Sequence, residues 1–493
     1  MPDKSIAKQI ATGTIWSVLM RMTIRMLGII SVLILARILV PADYGIVAKA
    51  ILLSGFLELV TQFGFNAALI QNQNATKDDY DTVWTLSIIR ATALSIVMLI
   101  SAPWLADYFN EVAIVPLIYA YSISTFIQGF TNVGVIDFQR DMNFNFDFKF
   151  NVFQKISSFS VTIAVALTWQ SYWAFPLGVL AGSVAALFAS FLMSAYRPRF
   201  CLTTWRSILN FSKWMFLYET MGAISLKLDT FLLSKFASAE ELGVYTISYE
   251  VSGMPSTEIA MPVARSALPG LSKLNQNLSK LKETYIDILA TTLMVAIPAA
   301  VGLSVLAEDI VKVVLGNNWI SAIAIIEVLA LFGVTRVISA CSVSALIAAG
   351  KVNVLGRFSF FMMLMRLAIL PVSVIYYGIM GLTYSVLITG LIGMILMLWT
   401  QQFIGLLSIK ALLLQIWRII IAASVMHISL NFLVPLIHSF EWPLLIVLLL
   451  EVVIGVLVFS IVSIVLYNLS NSKVGPEQRV LNIIYSKISR KSL

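Results

Sequence analysis

Long apolar segments follow one another along almost the whole chain and are separated only by short polar connections. Each segment has about 20 or more residues, the length an α-helix needs to cross the hydrocarbon core of a bilayer. Lipid offers no water to unpaired backbone groups, so runs of this length predict helices rather than strands. The fourteen predicted helices are 10–38, 43–70, 82–106, 112–138, 150–169, 173–196, 211–236, 242–268, 285–307, 320–349, 357–377, 381–407, 413–437 and 443–467. We therefore expect an all-α polytopic membrane protein.

Composition supports this expectation and excludes several functional classes. The 493-residue chain is 59% hydrophobic and 12% charged, whereas soluble domains have about 45–50% apolar and about 25% charged residues. Cys201 and Cys341 are too few for a disulfide framework or a thiolate cluster, and His427 and His438 are not expected to form a metal site. The sequence contains no motif for ATP hydrolysis or acyl transfer, so we expect neither an enzyme nor a bound cofactor.

The lysines and arginines predict the orientation of the chain. If the N-terminus is cytoplasmic, the cytoplasmic side holds 21 of the 33 basic residues, and the opposite side holds only Arg37, Lys235 and Lys312. Such a difference follows the positive-inside rule. It predicts a multi-pass protein with both termini in the cytoplasm. It also explains the net charge of +8 without a nucleic-acid partner.

An internal repeat predicts the domain organisation. The segment ILARILVPADYG at 34–45 resembles LLSKFASAEELG at 232–243, and each segment joins the first helix of a set of six to the second. Both sets run in the same direction, which predicts a parallel repeat of two lobes with a site between them. The predicted domains are an N-lobe at 1–198, a C-lobe at 199–408, two further helices within 409–467 and an amphipathic cytoplasmic tail at 468–493.

Five segments also carry a family resemblance: ILARILVPADYGIVA, TQFGFNAALIQ, YRPRF, LDTFLLSKF and ELGVYTISYEVSGMPSTEIAMPVARSALPGLSKL. In their order and spacing they resemble the Wzx-type polysaccharide flippases, the polysaccharide-transporter branch of the multidrug/oligosaccharidyl-lipid/polysaccharide flippase superfamily. The resemblance implies translocation of undecaprenyl-diphosphate-linked oligosaccharide across the bacterial inner membrane during exopolysaccharide, capsule or O-antigen synthesis. It also implies membrane lipids, a polysaccharide polymerase and export machinery as candidate partners.

Fifteen charged residues lie inside the predicted helices, where each costs roughly 2.5–3.5 kcal/mol on insertion scales. Either they pair to hold helices together, or the cations bind an anionic substrate. The predicted N-lobe has four such cations but only one such acid, which favours an anion. The residues are Arg21, Arg25, Lys49, Arg90, Lys227, Arg265, Arg336 and Arg366, with Glu58, Glu219, Asp229, Glu250, Glu258, Glu327 and Glu451.

The first predicted helix has the clearest anion-binding pattern. Arg21 and Arg25 are one turn apart and belong to a polar stripe with Thr14, Ser17 and Gly28. Two guanidinium groups at this spacing suit a diphosphate, which accepts bidentate hydrogen bonds. We therefore predict that Arg21 and Arg25 bind the substrate.

Arg90, Arg265 and Lys49 are further candidates for substrate binding, although Lys49 could instead reach the membrane surface. Glu250 and Glu258 share a stripe on the eighth predicted helix and are candidates for a coupling cation. Ion pairing with Lys227 or Arg366 is an equal alternative for these acids.

The predicted function is that of a flippase with alternating access around a cationic cavity, and the sequence leaves two alternatives to it. An ion-coupled multidrug or cation exporter of the same superfamily would favour an acidic cavity, whereas the first helix has two arginines and no carboxylate. A polysaccharide polymerase or ligase would need a large outer loop, and the predicted outer loops are short. DDYD at 78–81 resembles a glycosyltransferase motif but is expected to cap a helix.

Overall fold

The computed structural model describes most of the chain as helices. The described residues are 4–60, 76–140, 143–205, 227–260, 277–440, 442–470 and 475–478, with the single positions Leu69, Ile224, Leu271 and Leu274. The chain forms two compact units, Met1–Gly243 and Val244–Leu493. The lobe boundaries drawn from the repeat stay a prediction.

Among the described residues, seven longer helices belong to the first unit, and each corresponds to a predicted span. They are α1 (Lys4–Ile38), α2 (Pro41–Val60), α3 (Lys77–Phe109), α4 (Ile114–Gly129), α5 (Phe144–Trp169), α6 (Ala174–Met193) and α7, described from 227 to 236. Buried side chains of α2, α3 and α4 form one apolar core, which includes Val47, Met98 and Ile118. Other apolar side chains of α3 are exposed, such as Ile100 at 74%, as expected for a helix that contacts lipid.

The start of α3 confirms the capping interpretation of DDYD. Asp79 accepts a hydrogen bond from the backbone N–H of Thr76 at 2.9 Å, and the two residues form a capping box. Asp81 is buried and accepts hydrogen bonds from the hydroxyl of Tyr196 and, at 2.7 Å, from the N–H of Arg199. These acids therefore hold the helix start and the YRPRF segment in place.

Several helix boundaries differ from the prediction by more than a turn. The helices that begin at Lys4, Lys77 and Leu278 start five to seven residues before the predicted bounds of 10, 82 and 285. The fourth helix ends at Gly129 instead of residue 138, because Asn132 accepts a hydrogen bond from Gly134 N at 2.9 Å and starts the short 3-10 helix Val133–Ile136. The fifth helix begins at Phe144 instead of residue 150. The aromatic residues of its first turns alternate with polar ones, as in a strand, so the sequence showed no helical period there.

The second unit contains the remaining longer helices of the described part of the chain, together with short helical turns between Ala307 and Ala322. They are α8 (Ala239–Met254), which begins just before the boundary between the units, α9 (Leu278–Val305), α10 (Ile323–Ala348), α11 (Val352–Phe403), α12 (Ile409–His438) and α13 (Leu444–Leu469). Gly378 has φ 60° and divides α11 into two arms, which correspond to the predicted spans 357–377 and 381–407. Each of the fourteen predicted spans thus has a described helix.

The packing and polarity of the helices confirm the polytopic membrane class. Within the described part of the chain, nine helices are long and apolar enough to cross a membrane. The core of the second unit lies among α9, α10 and α12 and includes Tyr285, Val337, Cys341 and Met426. The most apolar helix, α13, keeps many leucines and valines exposed, as expected for a surface that meets lipid.

The start of the predicted tail is anchored to the helix bundle by a buried ion pair. Arg418 of α12 lies 3.1 Å from an oxygen of Glu477, and the two side chains are only 1% and 3% exposed. The predicted amphipathic face of Val480, Ile484 and Ile488 lies outside the described residues.

Candidate functional site

In the first unit, the two arginines of α1 lie on an exposed face of an unbroken helix. Arg21 and Arg25 are both exposed, and Met22 and Met26 beside them are 63% and 56% exposed. The hydroxyl of Thr23 donates to the carbonyl of Leu19 within the helix, at 2.9 Å. The two guanidinium groups project one helical turn apart from the same side of α1, so a single ligand can contact both.

Thr14 and Ser17 belong to the same predicted stripe, but their side chains lie outside the described residues. Gly28 continues the stripe, and a Cβ at this position would meet nothing within 4 Å. The glycine therefore leaves open space beside α1, one turn beyond Arg25.

Lys49 and Arg90 have less exposed positions in the same unit. Lys49 is 4% exposed, and its Nζ lies 3.8 Å from Oε2 of Glu111, which follows α3. This ion pair links α2 to the connection between α3 and α4 and supplies a structural reason for the burial of the lysine. Arg90 is half-buried on α3. The assignment of both residues to substrate binding stays a prediction.

An apolar cavity of about 300 Å³ lies beside another cation of the first unit. Lys227 of α7 is the one charged residue among those that line it, which are Leu52, Leu105, Phe109, Ile224, Lys227, Leu228 and Phe231. A cavity of this kind suits a group that is apolar and carries a negative charge at one end.

In the second unit, two arginines lie against aromatic rings. The Cζ of Arg336 is 5.3 Å from the ring centroid of Tyr249, and the Cζ of Arg366 is 6.0 Å from that of Phe332. The two rings are 6.5 Å apart. Both arginines are within the distance at which a cation is attracted to the face of a ring. They form, with the rings, a cationic and aromatic cluster of side chains from α8, α10 and α11.

Local backbone structure makes room for this cluster. A Cβ at Gly253 would lie 3.1 Å from a terminal nitrogen of Arg336. The helix then widens into π-helical turns at Pro255–Ala260, where the proline cannot donate the hydrogen bond of a regular helix. Such turns are frequent at functional sites.

The acids predicted for a coupling cation are only partly described. Glu250 follows Tyr249 on α8 and is exposed. The side chain of Glu258 and the whole of Arg265 lie outside the described residues. Sequence reasoning counted Arg336 and Arg366 among the membrane charges but did not place them in a site. Their aromatic partners come from other helices, so the sequence held no signal for the cluster.

One group of described residues has the geometry to hold a metal ion. It consists of Asp309, His438 and Glu451, whose ligand atoms all lie within 4.8 Å of one another. The expectation of no metal site considered only cysteines and histidines and left out the carboxylates that complete this group.

Comparison with known proteins relates the chain to polysaccharide synthesis. Residues 34–324 match the model of a family described as "Polysaccharide biosynthesis protein". The teichuronic acid biosynthesis protein TuaB of Bacillus subtilis (strain 168) is 24% identical over 71% of this chain and 73% of its own length. The lipopolysaccharide biosynthesis protein WzxC of Escherichia coli (strain K12) is 22% identical over 80% of both chains.

A solved structure has the same fold. The lipid II flippase MurJ in an inward closed conformation superimposes with a TM-score of 0.75 at 15% identity. The alignment covers 92% of this chain and 99% of that structure. At this identity the likeness concerns the fold alone.

Proposed function

The chain belongs to the polysaccharide biosynthesis protein family, in agreement with the predicted resemblance, and on that premise we propose that it is a lipid-linked oligosaccharide flippase. Its substrate is an oligosaccharide carried on a polyprenyl diphosphate, which it moves from the cytoplasmic to the outer leaflet of the bacterial inner membrane. The fold shared with a solved lipid II flippase supports this proposal. The names of the curated relatives support a role in the synthesis of a surface polysaccharide.

The exposed arginine pair of α1 is the observation that carries the proposal. A guanidinium group that faced hydrocarbon would cost several kcal/mol. Arg21 and Arg25, both exposed, are therefore better explained by a water-filled path or an anionic ligand than by lipid. A diphosphate has two adjacent anionic groups, and each can accept the paired hydrogen bonds of one planar guanidinium fork. In this proposal the two arginines hold the diphosphate while the protein alternates between its two open states.

Other residues have secondary roles in the proposed mechanism. Arg90, Arg265 and Lys49 are further candidates to contact the substrate, and Glu250 and Glu258 are candidates to bind a coupling proton or cation. Outward movement of an anion, with the inside negative, gains about 2.3 kcal/mol per charge for every 100 mV. This gain can drive transport without ATP, and it is lost if counter-ions move with the substrate.

The proposed direction of transport requires both termini to be cytoplasmic. A membrane-impermeant maleimide should then label Phe440→Cys from outside the cell but should not label Lys351→Cys. Both variants are made in protein that carries Cys201→Ser and Cys341→Ser. Labelling of position 351 but not 440 from outside would reverse the orientation.

Reconstitution tests the substrate and the arginine pair together. Purified protein in liposomes should translocate a polyprenyl-diphosphate oligosaccharide, and an inside-negative potential should speed its outward movement. Each charge-assisted hydrogen bond is worth about 1.5–3 kcal/mol, so Arg25→Ala should slow transport at least about tenfold. Arg25→Lys should restore only part of the rate, because an ammonium group lacks the planar fork.

The matched control is Met22→Ala/Met26→Ala, which changes the same exposed face and keeps both charges. It should transport like the parent protein. If Arg21→Ala/Arg25→Ala, folded and inserted normally, also transports like the parent, the arginines are structural. If the parent transports an organic cation and not the lipid-linked sugar, the proposed function is wrong.

A further inference from the structure

Three chemically reactive side chains meet near one end of α12 and α13, outside the residues proposed for substrate transport. Asp309 belongs to the short helix Ala307–Ile310, His438 is the last residue of α12, and Glu451 lies two turns into α13. The Nε2 atom of His438 lies 3.2 Å from Oδ2 of Asp309 and 3.5 Å from Oε1 of Glu451. The group therefore joins distant segments, since His438 and Asp309 are 129 residues apart in sequence.

Both carboxylates are buried, and three of their four oxygens have no hydrogen-bond donor. Glu451 is 0% exposed and Asp309 is 3% exposed. Neither oxygen of Glu451 accepts a hydrogen bond among the described residues, and the same holds for Oδ1 of Asp309. Buried acceptors without donors are rare in folded proteins and cost free energy. A protonated His438 would balance only one of two carboxylate charges, which leaves a negative charge that a bound cation can offset.

The neighbouring cation, Lys312, forms no salt bridge with this group. Lys312 forms its salt bridge with Glu308, the residue next to Asp309, and the two side chains are 34% and 62% exposed. Among the described residues, the imidazole of His438 is thus the one salt-bridge partner of Glu451 and Asp309. A cation that binds one oxygen of each carboxylate and the imidazole would balance the negative charge of the group.

The spacing of the ligand atoms suits a divalent metal ion. Nitrogen and oxygen ligands bind zinc at about 2.0–2.2 Å, so neighbouring ligand atoms of a tetrahedral site lie about 3.3–3.6 Å apart. The two measured distances from His438 Nε2, 3.2 and 3.5 Å, are close to this range. Imidazole favours transition metals, whereas magnesium and calcium prefer oxygen ligands alone.

We propose that Asp309, His438 and Glu451 bind one divalent transition-metal ion, of the zinc or manganese type. The side chain of His438 is 37% exposed, which provides an entry path for the ion and a position for a bound water molecule. The metal ties the ends of α12 and α13 to the short helix that follows α9. Its expected role is to stabilise the attachment of these two helices to the rest of the second unit.

Metal binding is measured on the full-length protein in detergent, without a histidine tag and after treatment with a chelator. We expect one zinc ion per chain after gel filtration and a micromolar or tighter Kd in titration calorimetry. Cobalt should give visible absorption bands typical of a nitrogen–oxygen site. Zinc should raise the melting temperature, because a ligand that binds only the folded state stabilises it. Magnesium should bind at least about 100-fold more weakly.

Variants separate this site from adventitious binding. His438→Gln and Glu451→Gln should each weaken zinc binding at least about tenfold and abolish the cobalt bands. The matched controls are His427→Gln, on the same helix, where the exposed histidine contacts Asn431, and Glu308→Gln, next to Asp309. Both controls should bind zinc like the parent. His438 is partly exposed, so its variant is expected to fold even if Glu451→Gln does not.

Two outcomes would overturn the proposal. The first is the absence of stoichiometric zinc or manganese binding, which would leave the group as a hydrogen-bonded histidine and two carboxylates. The second is equal binding by the parent and His438→Gln, or equal loss in His438→Gln and His427→Gln, which would indicate adventitious binding at the surface. Neither outcome bears on the arginine pair of α1.

Discussion

Gly45 and Gly243 occupy the same position in the two copies of the sequence repeat, and they approach each other in the structure. A Cβ atom at Gly45 would overlap the backbone of Ala239, and a Cβ atom at Gly243 would overlap the backbone of Pro41. The same atom at Gly243 would lie only 2.9 Å from the amide nitrogen of Gly45. Pro41 and Ala239 are themselves matched by the repeat, so the close contact is reciprocal.

The starts of the two helices are capped in the same way. Asp43 accepts a hydrogen bond from the N–H of Val40 at 3.2 Å, and Glu241 accepts one from the N–H of Ser238 at 2.9 Å. Asp43 and Glu241 are also matched by the repeat. The two copies thus share a local structure as well as a sequence pattern.

Gly45→Ala and Gly243→Ala should each destabilise the protein. The atoms that the new methyl group would meet belong to the backbone and cannot move aside as a flexible side chain can. Overpacking of this kind costs about 1–3 kcal/mol or more. Each variant should show a lower melting temperature and less monodisperse protein in fluorescence-detected gel filtration.

The control for this pair is Gly356→Ala on α11, where a Cβ would meet nothing within 4 Å. Its melting temperature should equal or exceed that of the parent, because alanine is the better helix former. Unchanged stability of both repeat variants would mean that the two helices do not approach this closely.

Glu477→Ala should destabilise the protein more than a surface substitution does. It leaves the guanidinium of Arg418 buried beside the ring of Tyr467 without its carboxylate partner. Removal of one member of a buried ion pair costs about 3–5 kcal/mol. The double variant Arg418→Met/Glu477→Leu should recover most of the loss, as measured by thermal melting at a fixed scan rate. Equal melting of the parent and Glu477→Ala would contradict a buried pair.

The aromatic ring of Tyr249 should stabilise Arg336 more than the hydroxyl of Tyr249 does. A cation over an aromatic face gains about 0.5–2 kcal/mol, depending on its solvent exposure. Tyr249→Leu should therefore lower the melting temperature, and Arg336→Gln should have much less effect in that background than in the parent. Tyr249→Phe keeps the ring and serves as the control. Additive effects in this double-mutant cycle would show that the two side chains are not coupled.

The salt bridge between Glu308 and Lys312 should add little to the stability of the folded protein, and only over a middle range of pH. Its hydrogen bond lowers the pKa of Glu308 and raises the pKa of Lys312. The stabilisation is therefore lost as the pH falls through the lowered pKa of the acid or rises through the raised pKa of the lysine. Exposed pairs are worth about 0.3–0.5 kcal/mol.

Glu308→Gln should accordingly melt within about 1 °C of the parent at pH 7. The difference should shrink further in acid, as thermal melting between pH 4 and pH 7 can show. A decrease of several degrees at pH 7 would mean that Glu308 takes part in the neighbouring metal-binding group.

The sequence by itself determined the membrane class, the fourteen helices and the repeat. The length of an apolar run reports whether a helix can cross a bilayer, and this property depends only on neighbouring residues. Boundaries were predictable where a local signal ends the helix, as at Gly378 with its positive φ. The prediction was less accurate near Asn132, where a side-chain hydrogen bond starts a 3-10 helix although the apolar pattern continues.

Only the tertiary structure decided which charges meet. Sequence reasoning could place Lys49, Arg336 and Glu451 inside helices, but their partners Glu111, Tyr249 and His438 lie on other segments of the chain. The face that each helix turns towards its neighbours depends on how side chains from distant segments pack. The sequence thus shows that a carboxylate within an apolar helix costs free energy. Which group offsets that cost is known only from the packing of the helices.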